Sequence, residues 1–265
     1  MVLASQKKYQ TCSNDIMTAI TLHNKFTTFK NVNLKSMKDE DFITVEGFKH
    51  KRYFPVIFSE EEMLQRAETH YKFMNKRRSV RYFSNKNIPF SIVENIIKTA
   101  STAPSGAHKQ PWTFCVVRSI SIKRKIREAA EAEERKSYDE RMSESWLTDL
   151  KPMGTSWEKP FLETAPYLII VFKKPYELYA DGNKLQNYYV NESVGLACGF
   201  LIQAIHNAGL VTLTHTPSPM RFLEEILNRP SNERAFLLLP VGYAAEKTYV
   251  PNLERKPIEN VMQLY

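Results

Sequence analysis

A chain of 265 residues with 43% hydrophobic side chains can build one domain around a sizeable core. Its net charge of +8 comes from lysines and arginines interleaved with acids, so it offers no basic stripe for a nucleic acid and suits an anionic ligand equally well. Cys12, Cys115 and Cys198 are widely spaced and the histidines lack ligand spacing, which argues against a disulfide framework or a zinc site; no metal is expected.

Residues 1–55 show no sustained period and read as a variable N-terminal extension; residues 56–265 read as the folded domain. The first thirty residues carry neither a signal-peptide apolar core nor any arginine, and no stretch reaches the ~18 apolar residues of a membrane span. The expectation is a soluble, cytoplasmic chain.

A helix is expected from Ser59, whose hydroxyl and Glu62 form a capping box, with Met63, Ala67, Tyr71 and Met74 along one face. A second box, Ser91 with Glu94, predicts a helix with Ile92, Val93, Ile96, Ile97 and Ala100 inward, stopped by Pro104. Residues 112–117 read as a buried strand, 121–145 as a long, charged, solvated helix, and 167–172 as a second buried strand. Residues 190–208 are apolar almost all round, the pattern of a helix hidden in a core or an interface, closed by Gly209. A strand at 210–214, a short helix at 222–227 and a strand at 235–241 follow, then an extended tail from Glu246. Helices and strands mix without a strict βαβ rhythm. No Gly-x-Gly-x-x-Gly follows a strand, so an α+β layered domain is expected rather than a Rossmann fold.

Four groups of residues could carry chemistry. Arg77, Arg78, Ser79, Val80 and Arg81 form a guanidinium cluster able to clamp a phosphate, although on charge alone a solvated helix end is the plainer reading. Pro104, Ser105, Gly106 and Ala107 form a tight loop that would let backbone approach a ligand; an ordinary helix exit is the plainer alternative. Thr214, His215 and Thr216 present polar groups at a strand end, where an exit before Pro217 is the plainer alternative. Glu134 and Tyr138 lie one helical turn apart, and with Lys159 they could grip a zwitterion; in so charged a segment a solvated face, mobile without ligand, is the plainer reading.

Arg77 to Arg81, the loop 102–108, Pro111-Trp112-Thr113-Phe114, Trp146 to Lys151, Thr164-Ala165-Pro166, residues 208–212 and 238–243, and Arg255-Lys256-Pro257 together resemble the flavin-dependent nitroreductase superfamily, and within it the iodotyrosine deiodinases. The resemblance covers about residues 55–262. It implies an αβα sandwich with a mixed, mainly antiparallel central sheet, forming an intertwined homodimer. It implies FMN at the subunit interface. Arg77, Arg78, Ser79, Val80, Arg81 and Arg255 would hold its phosphate and ribityl chain. Pro104, Ser105 and Gly106 would line the ring, and Thr214, His215 and Thr216 would run beside it, with the Thr216 hydroxyl near N5. The Ala107 backbone N–H would meet a substrate phenolate, and Glu134, Tyr138 and Lys159 would bind the amino-acid end of a halotyrosine and close as a lid. The implied activity is reductive dehalogenation of mono- and diiodotyrosine, with NADPH as ultimate reductant through a separate reductase. A broad NAD(P)H-dependent nitroreductase, or a flavin-binding regulatory subunit without turnover, stays open as an alternative. His215 departs from the threonine common at its position, and the segment after Pro217 is a residue short of the pattern.

Overall fold

The structure is a computed structural model that describes residues 41–265. The chain divides into two compact units, residues 1–60 and 61–265. Most of the expected extension at 1–55 lies outside the described residues. In the first unit, strands β1 (Phe42–Val45) and β2 (Phe48–Lys51) form an antiparallel hairpin. Glu46 and Gly47, both at positive φ, make its two-residue turn. Strands of four residues are too short to announce a period, which is why this hairpin escaped the sequence reading.

In the second unit, a four-stranded antiparallel sheet has the order β3 (Trp112–Val117), β4 (Tyr167–Lys173), β8 (Arg234–Gly242), β7 (Val211–Thr212). A parallel bridge between Ser79 and Thr212 extends it and makes it mixed. Strand β4 explains the layering. Tyr167, Ile169 and Val171 enter one core with Val93, Ile96, Val194 and Leu201; Leu168, Ile170 and Phe172 enter another with Ile126, Leu162 and Leu223. A strand buried on both faces reads as a continuous apolar run. Helices α2 (Phe90–Ala100) and α6 (Val190–Asn207) therefore cover one face. Helices α3 (Ile120–Lys136), α5 (Phe161–Thr164) and α7 (Arg221–Ile226) cover the other. The result is an αβα sandwich.

Several boundaries moved, each for a physical reason. Helix α2 opens at Phe90 after Pro89, without a side-chain cap, so Ser91 sits inside the first turn instead of capping it. Proline's fixed φ supplies the entry geometry that the hydroxyl was expected to provide. The charged helix stops at Lys136, passes through a π-helical turn (Ser137–Arg141), and restarts as α4 (Glu144–Leu150), capped by the Ser143 hydroxyl, which accepts from the Trp146 N–H. The expected strand at 210–214 shrinks to two residues. Its register with β8 continues through Leu213 opposite Pro240, which has no N–H to give, and pairing resumes between His215 and Leu238. Strands β5 (Tyr176–Leu178) and β6 (Lys184–Gln186) form a further hairpin too short to be foreseen.

Helix α6 ends in a Schellman motif: Gly209 at φ 74 donates to the His206 carbonyl, and Leu210 donates to that of Ile205. Only part of its apolar surface is covered, because Gly195, Leu196 and Gly199 remain open. The first long helix, α1 (Glu60–Asn75), starts directly after Ser59 and buries no residue; Met63, Leu64 and Tyr71 are all exposed. Two apolar faces thus stand uncovered in a single chain. Among the described residues no helix is long and apolar enough to cross a membrane.

Candidate functional site

Two neighbouring segments build the site. The Val80 N–H donates to the Thr212 carbonyl at 3.1 Å, and Ser79 bridges Thr212 in parallel, so 76–81 and 211–216 run side by side. One cavity of about 200 Å³ is lined by Lys76, Arg77, Arg78 and Thr212 over an apolar floor that includes Ile202 and Leu210. The next, also about 200 Å³, takes Arg81, Thr214, His215 and Thr216. Buried Val80 separates the two halves of the arginine cluster, which therefore face successive cavities along one track.

The first half is rich in uncompensated positive charge. Arg255 reaches back from the tail: its Nη1 donates to the Asn75 carbonyl at 3.1 Å and to Asn75 Oδ1 at 2.7 Å, and its Nη2 to the Arg77 carbonyl at 3.0 Å. Arg78 donates to the Pro251 carbonyl. Burial, then the charges of Arg255 and Arg78, hold the Arg77 guanidinium below its ordinary pKa. Among the described residues no ion pair neutralises Lys76, Arg77, Arg78, Arg81 or Arg255. Such a cluster suits an anion carrying several oxygens.

The second cavity brings Glu134, Tyr138 and Lys159 together, as the resemblance implied. Glu134 lies in the last turn of α3, Tyr138 sits in the π-helical turn, and Lys159 comes from the strap before α5. Lys159 Nζ lies 3.2 Å from Glu134 Oε2, with side-chain exposures of only 5% and 12%. These charges were expected to face water without ligand; they face each other instead, because the strap folds under α3. Burial lowers the Lys159 pKa, the nearby carboxylate of Glu134 opposes the shift, and Arg81 adds to it. Burial likewise raises the Tyr138 phenol.

His215 belongs with this group. Extended backbone alternates, so Thr214 and Thr216 are exposed while His215 turns inward. Its Nδ1 lies 3.9 Å from Glu134 Oε1, its ring meets Phe161 edge-on at 5.8 Å, and its buried Nε2 has no partner among the described residues. Burial first, then Lys159 and Arg81, push its pKa down to about 3. The ring is neutral, the backbone pairs with Leu238, and the side chain lies on the opposite side of the segment from the Thr214 and Thr216 hydroxyls. The reading also missed Met142, Trp146 and Leu150, which line this cavity with Phe161. Their signal was present as apolar residues breaking an otherwise charged stretch.

The loop after α2 lines neither cavity in this chain. The Gly106 N–H donates to Ser193 Oγ at 3.3 Å, and a Cβ on Gly106 would sit 3.0 Å from the Tyr188 carbonyl oxygen. Ser105 Oγ accepts from the Gln110 N–H at 2.9 Å. Ala107 is held at φ 47, ψ 32, left-handed for a residue with a side chain. Its N–H meets no backbone acceptor among the described residues. Strain of that kind, left with an open donor, is characteristic of binding loops. No group of three His, Cys, Asp or Glu among the described residues could hold a metal.

Comparison with known proteins bears on this arrangement. Residues 74–243 match the model of the nitroreductase family. The chain is 63% identical over 208 residues to an iodotyrosine deiodinase of Haliscomenobacter hydrossis, covering 78% of this chain and 94% of that protein. It is 46% identical over 218 residues to human iodotyrosine deiodinase 1, covering 81% and 73% respectively. A crystal structure of oxidized iodotyrosine deiodinase bound to FMN and 3-iodo-L-tyrosine superposes with a TM-score of 0.61 at 34% identity, covering 71% of this chain and 97% of that one. A nitroreductase from Bacteroides fragilis with bound FMN shares the fold, with a TM-score of 0.56 at 20% identity.

Proposed function

The chain belongs to the nitroreductase family, and from that membership we propose that it removes halogen reductively from halotyrosines, with NADPH as the ultimate electron source through a separate reductase. It is an FMN-dependent oxidoreductase of the iodotyrosine deiodinase type. Bound FMN supplies the electrons: two electrons and one proton replace a carbon–halogen bond by carbon–hydrogen and release halide. Mono- and diiodotyrosine are the substrates we assign.

This chain's residues fit that chemistry. Arg77, Arg78 and Arg255, lacking acids of their own, would neutralise the phosphate, with Ser79 and Val80 beside them. Arg81 would serve the ribityl end. Thr214 and Thr216 leave their hydroxyls open towards the same track, and Thr216 would donate near flavin N5. The Ala107 N–H would take the phenolate and draw charge off the ring. Pro104, Ser105 and Gly106 would line the flavin from a second copy, a reading supported by two findings. The loop reaches neither cavity of its own chain, and α1 and α6 each leave an apolar face uncovered.

The observation that carries the substrate assignment is the buried pair of Glu134 and Lys159. A zwitterion can replace that one internal pair by two new ones, its ammonium on Glu134 and its carboxylate on Lys159, beside Tyr138. Closure over the ligand would exclude water. The test is anaerobic: the full chain, loaded with FMN and chemically reduced, is mixed with 3-iodotyrosine, diiodotyrosine or a nitroaromatic. Stoichiometric iodide and tyrosine are expected. Nitroaromatic reduction without iodide release would favour a broad nitroreductase, and bound flavin without turnover a regulatory role.

A further inference from the structure

A zwitterion that takes Glu134 removes the carboxylate that Lys159 pairs with in its absence and leaves its Nζ with the Ser156 carbonyl and the Thr155 hydroxyl, both in the same strap, so the strap itself must be held in place. The structure offers that support one helical turn earlier on α3. Glu131 Oε1 accepts the backbone N–H of Lys159 at 2.6 Å, and the same oxygen accepts from Arg127 Nε at 2.7 Å. Arg127 in turn reaches Glu163 Oε1 at 3.4 Å. Nearly buried Lys123 donates from α3 to the carbonyls of Glu163 at 2.8 Å and Ala165 at 2.7 Å. Arg135 lies 4.0 Å over the Trp157 ring. The strap from 157 to 165 is therefore pinned to α3 at both ends. At the backbone of the substrate-facing lysine itself, Glu131 accepts the N–H from across on α3, while the carbonyl accepts from the Leu162 N–H at 3.0 Å. The Glu131 side chain is 17% exposed, which shields the bond from competing water.

We infer that Glu131 is a positioning residue for amino-acid recognition, holding Lys159 at the second cavity while Glu134 turns to the ligand's ammonium. This rests on the halotyrosine reading above. Glu131 touches no ligand; it acts through the lysine, in the way that outer hydrogen bonds fix the aim of a ligating side chain. Its carboxylate also offsets part of the burial cost of the lysine's charge. Residues 131 and 134 share a face of α3 at i and i+3, and the π-helical turn that continues it brings Tyr138 to the same cavity as Glu134.

The test measures dissociation constants for 3-iodotyrosine and 2-iodophenol on the oxidized FMN-loaded full chain by flavin fluorescence, in wild type, Glu131→Gln, Lys159→Ala and the double variant. Glu131→Gln keeps the shape and loses the charge, so weakening of iodotyrosine by roughly fivefold is expected, with iodophenol within about twofold of wild type. The effect should vanish in the Lys159→Ala background. Amide exchange in the peptide spanning residues 156–161 should quicken in Glu131→Gln. Equal weakening of both ligands, persistence of the effect without Lys159, or no effect at all would overturn the inference. If wild type itself binds the two ligands alike, the halotyrosine reading fails, and this inference with it.

Discussion

Two clusters of charge border successive cavities and are wired in opposite ways. Around α3 and its strap, acids and bases meet: Glu134 with Lys159, Glu131 and Glu163 with Arg127, Glu133 with Arg141. Around Lys76, Arg77, Arg78 and Arg255, cations meet cations, and among the described residues no carboxylate pairs with them. The first cluster satisfies itself and must exchange partners to bind. The second holds repulsion that an anion relieves. Recognition at one is a swap, and at the other a neutralisation.

Substitutions should separate the two modes. Glu134→Gln should raise the 3-iodotyrosine dissociation constant at least tenfold, as truncating a desolvated pair costs about 2–5 kcal/mol, and should leave 2-iodophenol unaffected. Equal weakening of both ligands would reduce the pair to a structural one. In the flavin-free chain, Lys159→Ala should lower unfolding stability by about 3 kcal/mol, because it strands the Glu134 carboxylate in a nearly dry site. Arg77→Ala should instead leave the flavin-free chain as stable as before or more so, while weakening FMN by roughly 1.5–3 kcal/mol. Chemical denaturation and flavin retention on dialysis read both effects. If Arg77→Ala destabilises the flavin-free chain as Lys159→Ala does, the contrast is wrong.

The smallest expected effect concerns pH. With its pKa near 3 in the folded state against an ordinary 6.5, His215 stays neutral while the unfolded chain takes up a proton. Its contribution is complete above pH 6.5 and is lost as pH falls from there towards 3. Between pH 7 and 5 this amounts to about 2 kcal/mol. Urea midpoints across that range should flatten in His215→Thr; an unchanged slope would place the acid sensitivity elsewhere.

Much of the fold was legible because its signals are local. The bounds of β3 were readable, and those of β4 and α6 to within a residue, because long apolar runs report burial on both faces. The Gly209 stop was equally plain, since a left-handed cap leaves few choices of residue. The β1–β2 and β5–β6 hairpins were not legible, their strands being three or four residues long. The shortened β7 turned on Pro240, thirty residues away in sequence, which no local pattern around 210–214 could reveal.

The order of residues determined by itself that this chain has a layered α+β core, an arginine cluster and Glu134 one turn before Tyr138, because period, composition and motif spacing are properties of neighbours; the sandwich and the place of Lys159 beside that pair came from the resemblance. Only the tertiary structure decided how those charges are spent. It buried Lys159 against Glu134 and hung it from Glu131, turned His215 inward behind the threonines, divided the arginines between two cavities, and kept the 104–107 loop away from both. Pairing, burial and the facing of a side chain depend on atoms that approach through space from distant parts of the chain. The sequence names the charges, and the packing decides which of them water, a ligand or another residue will neutralise.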